Sequence, residues 1–178
     1  MIIREATLED AADIARAHID SWRTTYAGLV SDEVLANLSY ERRESQWREV
    51  LDARHEVVYV AENEAGQIVG FASGGPERSG DKGFDGELYA IYLLAEYQKQ
   101  GIGSQLTLAV AKRLAKIGFR SLFVWVLSNN PARGYYERIG GQWAAEQDIE
   151  IGGSKLVESG YGWRDIGELI EGLRNRSK

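Results

Sequence analysis

The chain has 178 residues, with 21 Lys+Arg against 27 Asp+Glu, two His and no Cys, for a formal charge of -6. This length predicts a single domain over residues 1–178, large enough to bury about 70% of its unfolded surface without disulfides or metal. The missing cysteines exclude a disulfide scaffold, thiolate metal sites and a cysteine nucleophile, and a pI near 5.1 leaves no basic excess for general nucleic-acid binding.

Met1-Ile2-Ile3-Arg4-Glu5 carries charge at once and shows no apolar leader. The longest apolar runs, at Ala90–Ala95 and Leu122–Leu127, fall far short of the ~18 residues that span a bilayer. The expectation is a soluble cytoplasmic protein with no membrane or nucleic-acid partner. Ile2-Ile3-Arg4 reads as a short strand, and Thr7-Leu8-Glu9-Asp10 as a capping box. Ile14, His18, Trp22 and Tyr26 then recur every four residues along one helix face, which Gly28 closes. Residues from Ser31 to Asp52 predict a second helical region that buries Leu35, Leu38, Trp47 and Leu51.

Val57–Ala61 and Ile68–Gly74 have strand patterns joined by Asn63-Glu64-Ala65-Gly66. A glycine-rich loop over Gly74–Asp85 leads to a third strand at Glu87–Leu94. Ile102, Leu106, Val110, Leu114 and Ile117 mark a helix ending at Gly118, and Leu122–Leu127 reads as a central strand covered on both faces. Pro131 starts a short helix to Arg138, stopped by Gly140-Gly141. Gln142–Ile151 and Leu156–Trp163 flank Gly152-Gly153-Ser154-Lys155 as a hairpin, and a tail helix follows from Asp165. The order predicts an α/β fold with a mixed sheet and helices on both faces.

The most informative stretch runs from Glu87 to Gly103: a strand, a glycine-bearing turn, then a helix. Backbone N–H groups of such a turn, with the helix N-terminus, suit a phosphate, though the same pattern also makes a plain tight connection. No Gly-Lys-Ser/Thr triplet is present, and Leu106 stands where a dinucleotide fingerprint needs its third glycine. Gln98-Lys99-Gln100-Gly101-Ile102-Gly103 resembles the Gln/Arg-x-x-Gly-x-Gly/Ala signature of the GCN5-related N-acetyltransferases. Asn129-Asn130-Pro131-Ala132-Arg133-Gly134-Tyr135-Tyr136-Glu137-Arg138-Ile139-Gly140 resembles that family's second element, one helix and one strand further on. The chain departs from the pattern at Ala95, often Pro; at Lys99, often Gly; and at Gly141, often aromatic. Lys99 fits if its φ is negative.

The resemblance implies a sheet of about seven strands and acetyl-CoA as co-substrate, with no metal. It implies main-chain contacts from Ile91 and Leu93 to the pantetheine arm, and pyrophosphate on Gln98, Lys99, Gln100, Gly101, Gly103 and Ser104. Asn130, with Asn129 beside it, is the expected polar contact to the arm; either residue equally fits a helix cap beside Pro131. Tyr136 matches the family's proposed general acid, which protonates the departing thiolate. Glu87 is the candidate base, because an amine is protonated at neutral pH and must lose a proton before attack. Alternation puts Glu87, Tyr89 and Ile91 on one strand face. His18, Trp22, Tyr26 and Tyr89 are candidates for the acceptor pocket, the first three competing with simple core packing.

The expected reaction is direct attack by a small primary amine in a ternary complex. A peptide N-terminal acetyltransferase and a non-catalytic CoA-binding sensor are the alternatives, and dimerisation is common in the family. Residues 1–80 carry net -7 and residues 81–178 net +1, a split that favours a cationic acceptor.

Overall fold

The computed structural model describes residues 1–80 and 82–176. Seven strands, β1 (Ile2–Glu5), β2 (Val57–Glu62), β3 (Ile68–Pro76), β4 (Gly86–Leu93), β5 (Leu122–Leu127), β6 (Gln142–Ile151) and β7 (Ser154–Trp163), form one sheet in the order β1-β2-β3-β4-β5-β7-β6. Only β4 and β5 run parallel among neighbours. Helices α1 (Ala11–Thr25), α2 (Asp32–Ala36), α3 (Tyr40–Ala53), α4 (Ile102–Lys116), α5 (Arg133–Arg138) and α6 (Ile166–Arg176) complete the fold. The sheet is therefore mixed and layered between helices, as the element order predicts.

One face packs α1 and α3 over Val58, Val60, Ile68 and Phe71; the other packs α4 and α6 over Leu88, Leu122 and Val124. The Thr7–Asp10 box forms: the Thr7 N–H donates to the Asp10 carboxylate at 2.7 Å. Asp10 also accepts two bonds from the Arg4 guanidinium, at 2.7 and 2.8 Å, tying β1 to the start of α1. Arg4 holds the Asp10 carboxyl below the usual carboxylate range.

Three boundaries differ from expectation for identifiable reasons. The Ser31–Asp52 region is two helices, because the Ser39 hydroxyl accepts from the Arg42 N–H (3.2 Å) and so starts a new one. Helix α5 begins at Arg133 instead of Pro131, since the Asn130 side chain accepts from the Ala132 N–H (2.9 Å) and holds a turn first. The last hairpin turns on Gly152 and Gly153 alone, both at positive φ, so β7 starts at Ser154.

The fourth difference bears on the site. Ser73 pairs with Ala90 and Gly74 with Leu88, leaving Tyr89 as an extra residue in β4. This bulge shifts the side-chain phase. Leu88, Ile91 and Leu93 pack toward α4, while Ala90 and Tyr92 pack toward α1. Ile91 therefore does not share the face of Glu87 and Tyr89, correcting the simple alternation.

Candidate active site

Strands β4 and β5 separate midway. Their pairing covers Gly86–Leu122, Glu87–Phe123 and Leu88–Val124 only. Beyond it, the Leu94 N–H donates to the Val69 carbonyl (3.0 Å) on the β3 side. By strand alternation, the main-chain groups of Leu93 and Ile91 point away from β3, into the gap. The Leu93 carbonyl accepts from the Gln98 side-chain amide (3.1 Å).

A 3-10 turn at Ala95–Tyr97 then leads into an exposed bend before α4. Lys99 (φ 60°) and Gly101 (φ 82°) are both left-handed. Lys99 thus adopts the conformation its sequence position was expected to avoid: two left-handed residues are used to reverse the chain, at a steric cost of about 1 kcal/mol for a side chain there. The Gln105 N–H is the first of α4 to reach back, to the Gly101 carbonyl (3.2 Å). Among the described residues, the N–H groups of Ile102, Gly103 and Ser104 have no protein acceptor, which suits them to an anion. A Cβ on Gly103 would make only ordinary contact with Leu93 and Ile91, at 3.6 and 3.7 Å.

Tyr136 lies on α5, in the core on the α4 side of the sheet. It is buried against Tyr135, Tyr161 and Trp163, and no hydrogen bond to another described residue holds its hydroxyl. Burial, with Tyr135 and Tyr92 nearby, raises its phenol above the ordinary value, so it stays protonated. Tyr135 instead bonds Thr107 (2.9 Å). Asn130 is buried with its side-chain oxygen engaged by the Ala132 N–H, a turn ahead of α5 in place of the expected helix cap.

On the α1 side of the gap lies a cavity of about 380 Å³. Glu87, 1% exposed, is in its wall, and its carboxylate accepts from the Arg78 N–H (3.1 Å) and from Nε and Nη2 of the Arg78 guanidinium. Arg78 also lies over the Tyr89 ring at 4.3 Å, and the Tyr89 hydroxyl donates to the Pro76 carbonyl (2.6 Å). Burial and Glu56 push the Tyr89 phenol up to about 12. Across the cavity, the Tyr26 and Tyr92 hydroxyls bond each other at 2.9 Å. Trp125, Val126, Leu127, Gln147 and Glu158 close the β5–β7 side.

A model of the Acetyltransferase (GNAT) family matches residues 15–141. The chain belongs to the GNAT family. It is also 46% identical over 167 residues to the uncharacterized N-acetyltransferase YuaI of Bacillus subtilis strain 168, covering 94% of this chain and 95% of that one. An N-acetyltransferase from Staphylococcus aureus Mu50 shares the fold with a TM-score of 0.73 at 23% identity, over 93% of this chain and 98% of that one. PaiA N-acetyltransferase from Thermoplasma acidophilum, solved with coenzyme A, superposes with a TM-score of 0.67 at 22% identity, over 89% and 96%. As a GNAT member the chain is an acetyl-CoA-dependent acyltransferase.

The fold brings Glu87, Tyr89 and Tyr26 together in the cavity wall, with Tyr136 approaching from the opposite face. His18 and Trp22 are not in that wall. His18 Nδ1 accepts from Trp47 Nε1 (3.2 Å), and its ring stacks on Tyr92 at 5.1 Å, one layer behind. Burial, with Arg43 adding to it, lowers its pKa to about 3, so it is neutral. Arg78, Tyr92, Trp125, Gln147 and Glu158 were not anticipated. Glu158 had a signal: it alternates with Leu156, Gly160 and Gly162 on the inward side of β7, a place where an acid is unusual. Among the described residues, no group of three or more His, Asp or Glu is placed to hold a metal, and no helix is long and apolar enough to cross a membrane.

Proposed function

We propose that the chain moves the acetyl group of acetyl-CoA onto a small primary amine by direct attack in a ternary complex. The observation that carries this reading is the parting of β4 from β5 beyond Leu88, with unclaimed N–H groups at one end and Tyr136 and the cavity beside it. Residues Gln98 to Ser104 would hold the pyrophosphate, with Ile91 and Leu93 pairing with the pantetheine arm as an added strand would. Asn130 would face the arm while capping its turn. The coenzyme A bound by the Thermoplasma neighbour supports this assignment.

Acetyl-CoA supplies an activated acyl group whose leaving atom is a thiolate. The Tyr136 phenol, kept protonated by burial, donates its proton to that sulfur as the amine attacks. Glu87 is the carboxylate on β4, held in place by three N–H groups of Arg78, and is the candidate to take the amine's proton directly or through water. A small acceptor is favoured over a peptide by the wall where Val34, Ile149, Ile151 and Leu156 pack with Tyr26 and Leu127.

Tyr136→Phe breaks no internal hydrogen bond, so it should fold with unchanged Tm. Its kcat in a CoA-release assay should fall about 100-fold at unchanged acetyl-CoA affinity. Turnover equal to wild type would remove Tyr136 from the mechanism. Intersecting initial-velocity lines are expected for the ternary complex, and a failure of every amine to release CoA would leave the sensor alternative standing.

A further inference from the structure

We propose that Glu158 binds a second ammonium group of the acceptor, one other than the amine that is acetylated, and makes the enzyme prefer diamines, an inference that rests on the acetyl-transfer reading of the same cavity. Three charged side chains line that cavity: Arg78, Glu87 and Glu158. Arg78 and Glu87 neutralise each other, since both oxygens of Glu87 accept from the one guanidinium. Glu158 has no such partner. Its donor is the neutral Gln147 side-chain amide at 3.0 Å, and among the described residues no lysine, arginine or histidine forms an ion pair with it. Lys82 is the further cation in the neighbourhood, 5.8 Å above the Trp125 ring. The wall itself is left with one uncompensated negative charge.

Register fixes where that charge sits. Glu158 pairs with Leu127 on one side and Gln147 on the other, beyond the last β4–β5 pair at Leu88–Val124. It is therefore at the wide end of the gap, across from Tyr26 and Tyr92. Those two phenols feel its carboxylate, which adds to the burial that raises both above the ordinary tyrosine value. Around it the wall carries the aromatic side chains of Tyr26, Tyr89, Tyr92 and Trp125, with Arg78 over the Tyr89 ring and Lys82 over that of Trp125. A carboxylate and phenol oxygens together match an alkylammonium, which brings three N–H donors and one positive charge. An acceptor carrying its own carboxylate beside the amine would meet like charge at Glu158.

Glu158→Gln removes the charge while keeping the shape and an oxygen for Gln147. With 1,4-diaminobutane, n-butylamine and glycine as acceptors, wild-type kcat/KM should fall in that order. The variant should raise KM for 1,4-diaminobutane by about 10- to 100-fold, the worth of a charge-assisted hydrogen bond, with Tm and the acetyl-CoA KM unchanged. An unchanged amine KM, an unchanged ranking, a loss confined to kcat, or a wild type that prefers glycine would each overturn the proposal. Calorimetric titration of 1,4-diaminobutane into the protein, with and without CoA, reads the same subsite without turnover. Weakening of tenfold or more in the variant supports Glu158, whereas equal affinity, or no binding by wild type, overturns it. Failure of CoA itself to bind would sink the acetyl-transfer reading, while the amine titration would still decide on Glu158.

Discussion

The bend at Gln98–Ser104 and the cavity around Glu87 stand at opposite ends of β4, and they are built from different materials. The bend is contiguous, exposed and made of backbone: free N–H groups and two left-handed residues. The cavity is assembled from side chains of α1, β4, β5, β6, β7 and the segment after β3, brought together only by tertiary packing. A site of the first kind suits a feature every anion of one class carries, as the proposed pyrophosphate would; a site of the second kind can be altered one wall at a time. The two should therefore respond differently to substitution.

The largest effect should come from the cavity. Arg78→Ala strands the buried Glu87 carboxylate, and the cost should be about 2–3 kcal/mol in urea unfolding. It stays below the full penalty for a buried pair because the Arg78 side chain is 60% exposed and the pair partly screened. Wild-type stability in Arg78→Ala would show that water replaces the guanidinium freely, and the cavity would then be as solvent-built as the bend.

His18 should show its separation from the cavity through pH. Its folded pKa, about 3, lies below the unfolded value near 6.5, so the unfolded chain binds the extra proton between them. Stability is then complete above pH ~6.5 and falls as pH drops toward 3, by up to about 1.4 kcal/mol per pH unit. His18→Gln should flatten that slope. A slope that persists only below pH ~4 belongs to the carboxylates held low in the fold, Asp10 with its Arg4 partner among them; one that persists near pH 6 would show that His18 is not the group responsible.

Smaller changes should probe the bend. Gly103→Ala meets only van der Waals contacts, so Tm should hold while CoA affinity falls about tenfold as the added methyl crowds the ligand. Calorimetry showing full affinity would move the pyrophosphate elsewhere. Lys99→Gly should give the smallest effect, with relief of the left-handed strain slightly exceeding the added unfolded-chain entropy. The net gain should be about 0.5 kcal/mol in stability, beside a two- to threefold loss in CoA affinity from the missing charge.

The same contrast explains what could be read from the sequence. The strands were legible because alternation and turn residues are local signals, whereas Gln98 to Gly103 and Tyr136 stood out only as motifs that resemble the family's. The bulge at Tyr89 was not: it depends on how β4 registers against Ser73 and Gly74, a long-range choice. Arg78 and Glu158 were hidden because their partners lie 9 and 11 residues away, across a loop and a hairpin. His18 was misplaced for a subtler reason, since the polar ring is accommodated in the core by Trp47 donating to its nitrogen. Gly141 departs from the family's aromatic because the space is already filled: a Cβ there would lie 2.8 Å from the Trp163 ring, which reaches in from β7.

The extra residue at Tyr89 works as a clutch in the middle of β4. Upstream of it, the strand contributes side chains to the cavity; downstream, its main-chain groups face the gap where β4 has parted from β5. Because an unpaired residue separates the two, drift in the upstream stretch need not be transmitted as a change of phase to Ile91 and Leu93. Substitutions at Glu87 are thereby expected to leave the register of Ile91 and Leu93 unchanged.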